Sequence, residues 1–556
     1  MMSTLNVIGK SLTETIEIAN KHELITIILP SNSTFKLKNE LTILTNIIIE
    51  GNNSTLIASK TRHFNVLAGQ NLTLKNLTLK NGIANTGGSI LVKTTNNHNL
   101  LLENVIIKNN EAIYGGAIYS YGDIIIKNSK ILLNKAIKQG GGIWCYKNVT
   151  MNDSLVNLNH ITEISNDNHG AGIVINDGIL LLSNSSISYN KINYSRINQI
   201  GGYAGGVNII SGSLIIEKNS RINNNIAFNS AAIQMGLGDI NVFNSTISKN
   251  RSFSTANASG GGGIVILAGN VIIQNSKISH NITQGMYSGG IVSIFGNITI
   301  INSIISHNKN KGPGGAIASN FNSTITIENS KIIKNTGASL GGAIVNFSFS
   351  QGQIYIINSI LSNNILTNEQ LIKQTIEEFL KIIINFLSSY TSYSKTFSKV
   401  LSKIKEIIAL AEERHALFSQ IIPLINATGG GAIATLLTCP ITITNSEISN
   451  NYATLKTTSN NPIFSGFGGG IFSIHSQITI NNTKFKNNKA INTGSAIYTN
   501  NLLTINDSII NKNNNIALLN TKNGTTILLN TIFIDNNIDI ENNGQLTLIN
   551  TKINNH

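Results

Sequence analysis

The sequence predicts an all-β fold, a right-handed parallel β-helix with an amino-terminal capping helix and an inserted α-helical hairpin. Three observations carry that expectation. First, a seven-residue phrase, Asn/Asp-Ser/Thr-x-apolar-x-x-Asn, begins at 104, 128, 153, 184, 219, 244, 275, 302, 329, 358, 445, 482, 507, 530 and 550, and most successive starts differ by 20 to 31 residues. That is the period of a solenoid. Second, a run of small residues ending in Ile recurs between copies, as in Gly115-Gly116-Ala117-Ile118, Gly140-Gly141-Gly142-Ile143, Gly314-Gly315-Ala316-Ile317 and Gly468-Gly469-Gly470-Ile471. Third, an alternating strand precedes the phrase, as in Ile298-Thr299-Ile300 and Ile441-Thr442-Ile443, so every second side chain faces inward.

A coil of about 25 residues is too short for a strand-helix-strand crossover, but it fits one rung of a parallel β-helix. Stacking rungs ~4.8 Å apart places each phrase-final Asn above the previous one, where amides bond to one another and to the turn backbone. Asn also tolerates the left-handed conformation that a sharp corner needs, and the phrase-initial Asn or Asp residues form one column with the phrase-final Asn column parallel to it. The Ile column fills the interior.

Composition agrees. The 556 residues carry 40 Lys+Arg and 26 Asp+Glu, a net charge of +14, yet only 12% of residues are charged and 41% are hydrophobic. This excludes a disordered polyion and supports a large core. Two cysteines, Cys145 and Cys439, cannot build a disulfide framework or a cysteine-rich zinc module. No apolar run reaches the ~18 residues of a membrane span, and no signal peptide is visible in the first thirty residues.

The elements follow in order. Residues 1–90 form the amino-terminal cap and first coils, where Ser11 and Glu14 make a capping box and start a helix that runs to Asn20. Residues 91–364 and 429–556 are β-helix coils. Between them, 365–428 carry no repeat phrase. There Thr367 and Gln370 make a capping box, Leu371, Ile372, Ile376, Phe379, Leu380 and Ile383 fall at helical spacing, and a second helix reads from Phe397 to Ile421. This predicts a helical hairpin, which packs on the rod or docks a protein partner. The other long insertions, at 160–170, 191–204, 251–260 and 452–467, all fall between the phrase-final Asn and the next small-residue run, hence at one corner of the coil. Loops gathered on a rigid scaffold carry function.

The chemistry is sparse. No Asp-Asp pair and no Gly-His-Gly occurs, and no cofactor motif appears. The densest cluster is His160, Glu163, Asp167 and His169 in one loop, an alternative acid-base or metal site. His280 and His307 occupy the same slot of adjacent rungs and should stack, in a column whose other members, among them Tyr189, Lys249 and Lys334, read as a solvated face. The slot after the inward Ile points outward and holds Tyr119 and Trp144 on neighbouring rungs, and Phe472 and Tyr498 further along. Stacked flat aromatics there would hold sugar rings. No continuous basic run appears and Lys is scattered among Asn and Ile, so nucleic acid is disfavoured as a partner.

The small-small-Ile phrase followed by apolar-x-x-Asn, as in Phe485-Lys486-Asn487-Asn488, resembles the repeat of chlamydial polymorphic membrane proteins and other autotransporter passengers. Ser11-Leu12-Thr13-Glu14-Thr15-Ile16 and the strands after it resemble the opening of bacterial surface proteins with right-handed β-helix repeats. These resemblances imply the pectate-lyase-like superfold and a non-enzymatic, extracellular or cell-surface adhesin binding a glycan or a host-surface protein. The competing expectation is a polysaccharide lyase or glycoside hydrolase, which needs carboxylates converging on one face.

Overall fold

The computed structural model describes residues 3–7, 11–93, 100–254, 260–285, 288–320, 323–338, 340–347, 352–367, 428–436, 438–454 and 465–554. Of the hairpin insertion expected over 365–428, residues 368–427 lie outside the described residues, and Ile365–Leu366 form a strand that pairs with Tyr452–Ala453. The chain divides into two compact units, 1–251 and 252–556, and each is a right-handed parallel β-helix built from the same coil.

One coil of the second unit shows the local logic. A first strand, Ile291–Phe295, follows the small-residue run and ends at Gly296. A second strand, Ile298–Ile301, alternates buried and half-exposed positions, as its period of two demands. Asn302 then turns the chain with φ 48°, a third strand runs Ile304–Ser306, and His307 turns it again with φ 56°. Asn308 and a short fourth strand, Lys309–Asn310, complete the coil. Equivalent strands of successive coils pair in parallel and in register, Ile291 with Ile317, Ile298 with Ile325 and Ile304 with Lys331.

The phrase is a recipe for two corners. All fifteen phrase-initial residues, from Asn104 to Asn550, have φ between 42° and 62°. Fourteen residues that precede the phrase-final Asn, including Leu133, Tyr189, His280 and Lys334, are left-handed too. The phrase-final Asn side chains point inward and are buried. In the first unit they form a ladder, each amide oxygen accepting from the backbone N–H of the coil before, as Asn134 N–H donates to Asn159 at 3.0 Å and Asn159 N–H to Asn190 at 2.9 Å. In the second unit the ladder runs through Asn281, Asn308, Asn335, Asn364, Asn451, Asn488, Asn513 and Asn536. The Ser/Thr position has an equally regular role. Its hydroxyl accepts the backbone N–H of the same position one coil earlier, as from Ser303 to Ser330 and from Ser330 to Ser359, both at 3.0 Å. Two polar ladders therefore satisfy the backbone groups that the corners leave without a strand partner.

At the amino end, Ser11 and Glu14 close the expected capping box, and the helix Leu12–Ala19 buries Leu12, Thr15, Ile16 and Ala19. Asn20 fastens its end to the strand Leu41–Ile43 region, donating to Thr42 at 2.8 Å and accepting from Leu44 at 2.9 Å. A strand that periodicity did not reveal, Ser3–Asn6, pairs with Leu24–Ile28.

In the second unit, coils on either side of residues 368–427 pair as neighbours. Ile344 pairs with Ile433, and Asn364 N–H donates to Asn451 at 3.0 Å across a separation of 87 residues.

Candidate functional site

In several coils the first strand differs from the others because both its faces are covered. In Ile118–Ser120 and Ile143–Cys145 all three residues are buried. Ile118 and Ser120 face the interior, so Tyr119 faces out, and Trp144 pairs with it on the next coil. The outward direction agrees with the sequence expectation. Exposure does not: Tyr119 is 8% exposed, Trp144 3% and Phe472 1%, while Tyr498 is half-buried.

Part of the cover comes from neighbouring side chains, Leu91, Val174 and the tyrosines around Tyr119 and Trp144, and part from the small-residue run, which lies close to the outward side chain. A Cβ on Gly140 would meet Trp144 Cβ at 2.9 Å, and one on Gly429 would meet the Phe472 ring at 2.5 Å. Glycine is required at Gly429 for close approach of backbone to ring, and at Gly140 because φ is 63° and a Cβ would first meet the Ile143 carbonyl oxygen at 2.6 Å. Gln139, one residue before the run, accepts from Trp144 Nε1 at 3.2 Å. A buried indole N–H is thereby satisfied.

Around this buried pair stands a rim of rings that the sequence reading missed. Tyr121 and Tyr146 lie two residues after Tyr119 and Trp144, hence on the same side of their strands, and both are half-exposed. The period of two that flagged Tyr119 was the signal for Tyr121 as well. The four rings form a block. Tyr119 stacks on Trp144 at 4.8 Å and 11°, and Tyr121 stacks on Tyr146 at 4.5 Å and 12°. Trp144 meets Tyr146 edge to face at 4.1 Å, and Tyr119 meets Tyr121 likewise at 5.4 Å. Tyr114 packs against the same cluster. Burial and the neighbouring tyrosine hydroxyls push the Tyr119 phenol well above its usual range, so it stays a neutral donor, with its hydroxyl 3.4 Å from that of Tyr146. In the second unit a smaller cluster joins Phe472 and Tyr498 at 5.2 Å, with Phe467 4.9 Å from Tyr498.

The loop with His160, Glu163, Asp167 and His169 does not bring its four side chains together. His160 pairs with Lys135 and His169 bridges to Gln139, so their backbones stand about 10 Å or more apart along the strand. His160 is half-buried, bonds Asn193 Oδ1 at 2.8 Å, and is held below the ordinary imidazole range by burial and then by Lys191 and Lys135. His169 is buried, stacks on Tyr203 at 5.5 Å, and burial lowers its pKa to about 4. Glu163 accepts from Asn168 through its backbone carbonyl, and Asp167 is exposed. Among the described residues no three His, Cys, Asp or Glu side chains are grouped to hold a metal ion. Cys145 and Cys439 are buried, with burial pushing both thiols up to about 12.

A groove of about 310 Å³ lies on the second unit beside the phrase-initial corner. Asn358, Asn445, Asn482 and Asp507 line it with Ile360, Glu447, Lys484 and Ile509. Glu447 pairs directly with Lys484, and Asp507 accepts from Asn530 at 2.9 Å. The coil thus places two carboxylates that are sixty residues apart in sequence in one groove.

No family model matches the chain, and no curated protein matches it. Among solved structures it is similar to a PL6 alginate lyase in complex with a trisaccharide, at 10% identity and a TM-score of 0.24, over 100% of this chain and 88% of that one. A likeness at that score says nothing of this chain's chemistry, and its fold rests on the pairing registers above. Among the described residues no helix is long and apolar enough to cross a membrane.

Proposed function

We propose that the protein is a recognition protein of the adhesin type, exposed at a surface or secreted, that binds glycan through the aromatic block of its first unit without turnover. The observation that carries this reading is the pair Tyr121 and Tyr146, half-exposed and stacked at 4.5 Å on a buried Tyr119–Trp144 base. The buried base holds the outer rings in one orientation, so a sugar stacking on them meets a surface that loses little freedom on binding. The ring surface that the Tyr121–Tyr146 stack leaves open takes the C–H face of a pyranose while the two phenols reach its hydroxyls. The resemblance to autotransporter passengers supports the surface role, and the cluster at Phe467, Phe472 and Tyr498 offers a second, smaller platform.

The test is binding to a panel of neutral glycans by the full chain and by Tyr121→Ala and Tyr146→Ala. Both side chains are half-exposed, so the variants should fold. Binding about tenfold weaker, from loss of one stacking contact of about 1–1.5 kcal/mol, is the expected result. Equal affinity for both variants and the wild type rejects the block as the site.

The groove with Glu447, Asp507 and Lys484 carries a second reading, polysaccharide cleavage. Its two carboxylates are separated by two rungs, roughly 10 Å along the axis. Reducing ends or unsaturated products that appear with wild type and vanish in Glu447→Gln would favour it over binding alone.

A further inference from the structure

The lysines that look scattered in the sequence are sorted by the coil. Residues 252–366 contain five cations, Lys277, Lys309, Lys311, Lys331 and Lys334, and one carboxylate, Glu328. All five lysines are exposed and fall between the start of the third strand and the loop after the fourth. Lys277 and Lys331 start third strands, with Ile304 paired between them. His280, His307 and Lys334 occupy the same left-handed corner on three successive coils, with φ 58°, 56° and 55°. Glu328 lies around the other corner, where Asn329 donates to it at 3.4 Å. The face itself has no carboxylate.

The two imidazoles stack at 4.7 Å with 3° between their planes. Burial, then Lys334 and Lys277, hold His307 below its usual range. A parallel stack presents ring edges one coil apart and does not converge two nitrogens on one point, so a metal ion is not the natural ligand. What the face offers is a cation or a hydrogen-bond donor on each coil, ~4.8 Å apart along the axis, beside the apolar side chains of Ile304 and Ile333. That interval is close to the length of one sugar ring in an extended chain.

We infer that the third-strand face of residues 277–334 binds a linear acidic polysaccharide laid along the coil-to-coil direction, its carboxylates or sulfates on Lys277, His280, His307, Lys331 and Lys334 and its C–H faces on Ile304 and Ile333. Single-stranded nucleic acid calls for aromatic platforms on which bases stack, and this face has no Phe, Tyr or Trp. Duplex phosphates advance about 3.4 Å per strand, out of step with the coils. The ligand class rests on the glycan reading above, but the site is in the other unit and uses charge instead of rings.

The experiment measures binding of polygalacturonate, heparin, dextran and a single-stranded oligonucleotide to the full chain in low-salt buffer. Wild type should bind the two acidic polysaccharides saturably, with affinity falling as salt rises, and should not bind dextran at this face. Lys277→Gln/Lys331→Gln/Lys334→Gln should weaken that binding about tenfold or more, and His280→Gln/His307→Gln by a smaller factor, with unchanged circular dichroism. Tyr146→Ala should leave it intact, which separates this site from the aromatic block. Equal binding by the triple variant overturns the inference, and so does tighter binding of the oligonucleotide than of either polysaccharide. Comparing polygalacturonate with heparin tells carboxylate from sulfate recognition.

Discussion

The side-chain amide of Asn308 donates to Oδ1 of Asn335 at 3.1 Å, and the backbone N–H of Asn308 donates to that same oxygen at 3.0 Å. One residue type thus serves as both rung and rail. Asn308 also donates to Ile278 O at 2.9 Å and accepts the Asn281 backbone N–H at 3.0 Å. Asn308→Leu leaves these buried groups unpaired at a corner that cannot admit water. The expected loss is on the order of 1–3 kcal/mol, read as a lower urea midpoint. An unchanged midpoint would count against the ladder.

The second left-handed corner gives a prediction of opposite sign. Leu158 has φ 56° and is 47% exposed, so it bears the left-handed penalty without the return of burial. Leu158→Asn should raise stability by about 1 kcal/mol, and Leu158→Val should lower it by a similar amount, since branching at Cβ makes that conformation worse. Thermal melts of the two variants should move apart, and movement in the same direction contradicts the assignment of strain.

Acid should loosen the first unit through its buried histidines. His63 is buried, bonds Leu56 O at 3.1 Å through Nε2 and Ser89 at 3.0 Å through Nδ1, and burial lowers its pKa to about 4. Leu56 O can only accept, so Nε2 carries the proton and Nδ1 accepts from the serine hydroxyl. His169 is likewise lowered to about 4. Both folded pKa values lie below the unfolded value of ~6.5, so the unfolded chain takes up more protons in between. The stability is fully present above about pH 6.5 and falls as pH drops toward 4, by up to a few kcal/mol per histidine. Unfolding curves at intervals from pH 7.5 to 4.5 read this slope, and His63→Gln should reduce it by one proton; a flat profile contradicts the burial argument.

Residues 368–427 should be removable without loss of the coil. Gly314 follows Asn310 by four positions with φ 72°, and Gly341 follows Gly337 by four with φ 53°. Joining Thr367 to Thr428 sets Gly430, with φ 82°, four positions after Leu366, so the loop would match those of the two preceding coils. The closure cost is small because it grows only with the logarithm of loop length. The deletion variant should unfold cooperatively with a melting temperature within a few degrees of wild type. A chain that no longer folds would mean that the register across the gap needs the insertion.

The fold was legible because each phrase position has one physical job. Asn104 and its fourteen counterparts mark left-handed corners, and Ile118 or Ile317 mark the interior. The Ser ladder through Ser303, Ser330 and Ser359 is visible in the sequence as a pattern, but its role depends on hydroxyl and backbone lying one coil apart, which linear spacing does not show. The candidate sites were only half legible. Periodicity gave the direction of Tyr119, Trp144 and Phe472 but not the side chains and backbone that cover them, because Gly runs reveal where a chain can approach closely and not what it approaches. The grouping of Lys277, Lys331 and Lys334, and of Glu447 with Asp507, depends on coil lengths that vary from repeat to repeat. Linear spacing therefore hid both.

Trp144 is the one tryptophan of the chain and lies 4.1 Å from the Tyr146 ring, so its emission reports on the proposed glycan platform and on nothing else. Titrating the full chain with the tightest-binding neutral glycan of the panel should change that emission saturably, with the midpoint equal to the binding constant. In Tyr146→Ala the midpoint should move to about tenfold higher glycan concentration. Saturable binding of that neutral glycan with no change in Trp144 emission, or a change unaltered by Tyr146→Ala, would contradict the claim that the aromatic block is where the protein recognises neutral sugar rings.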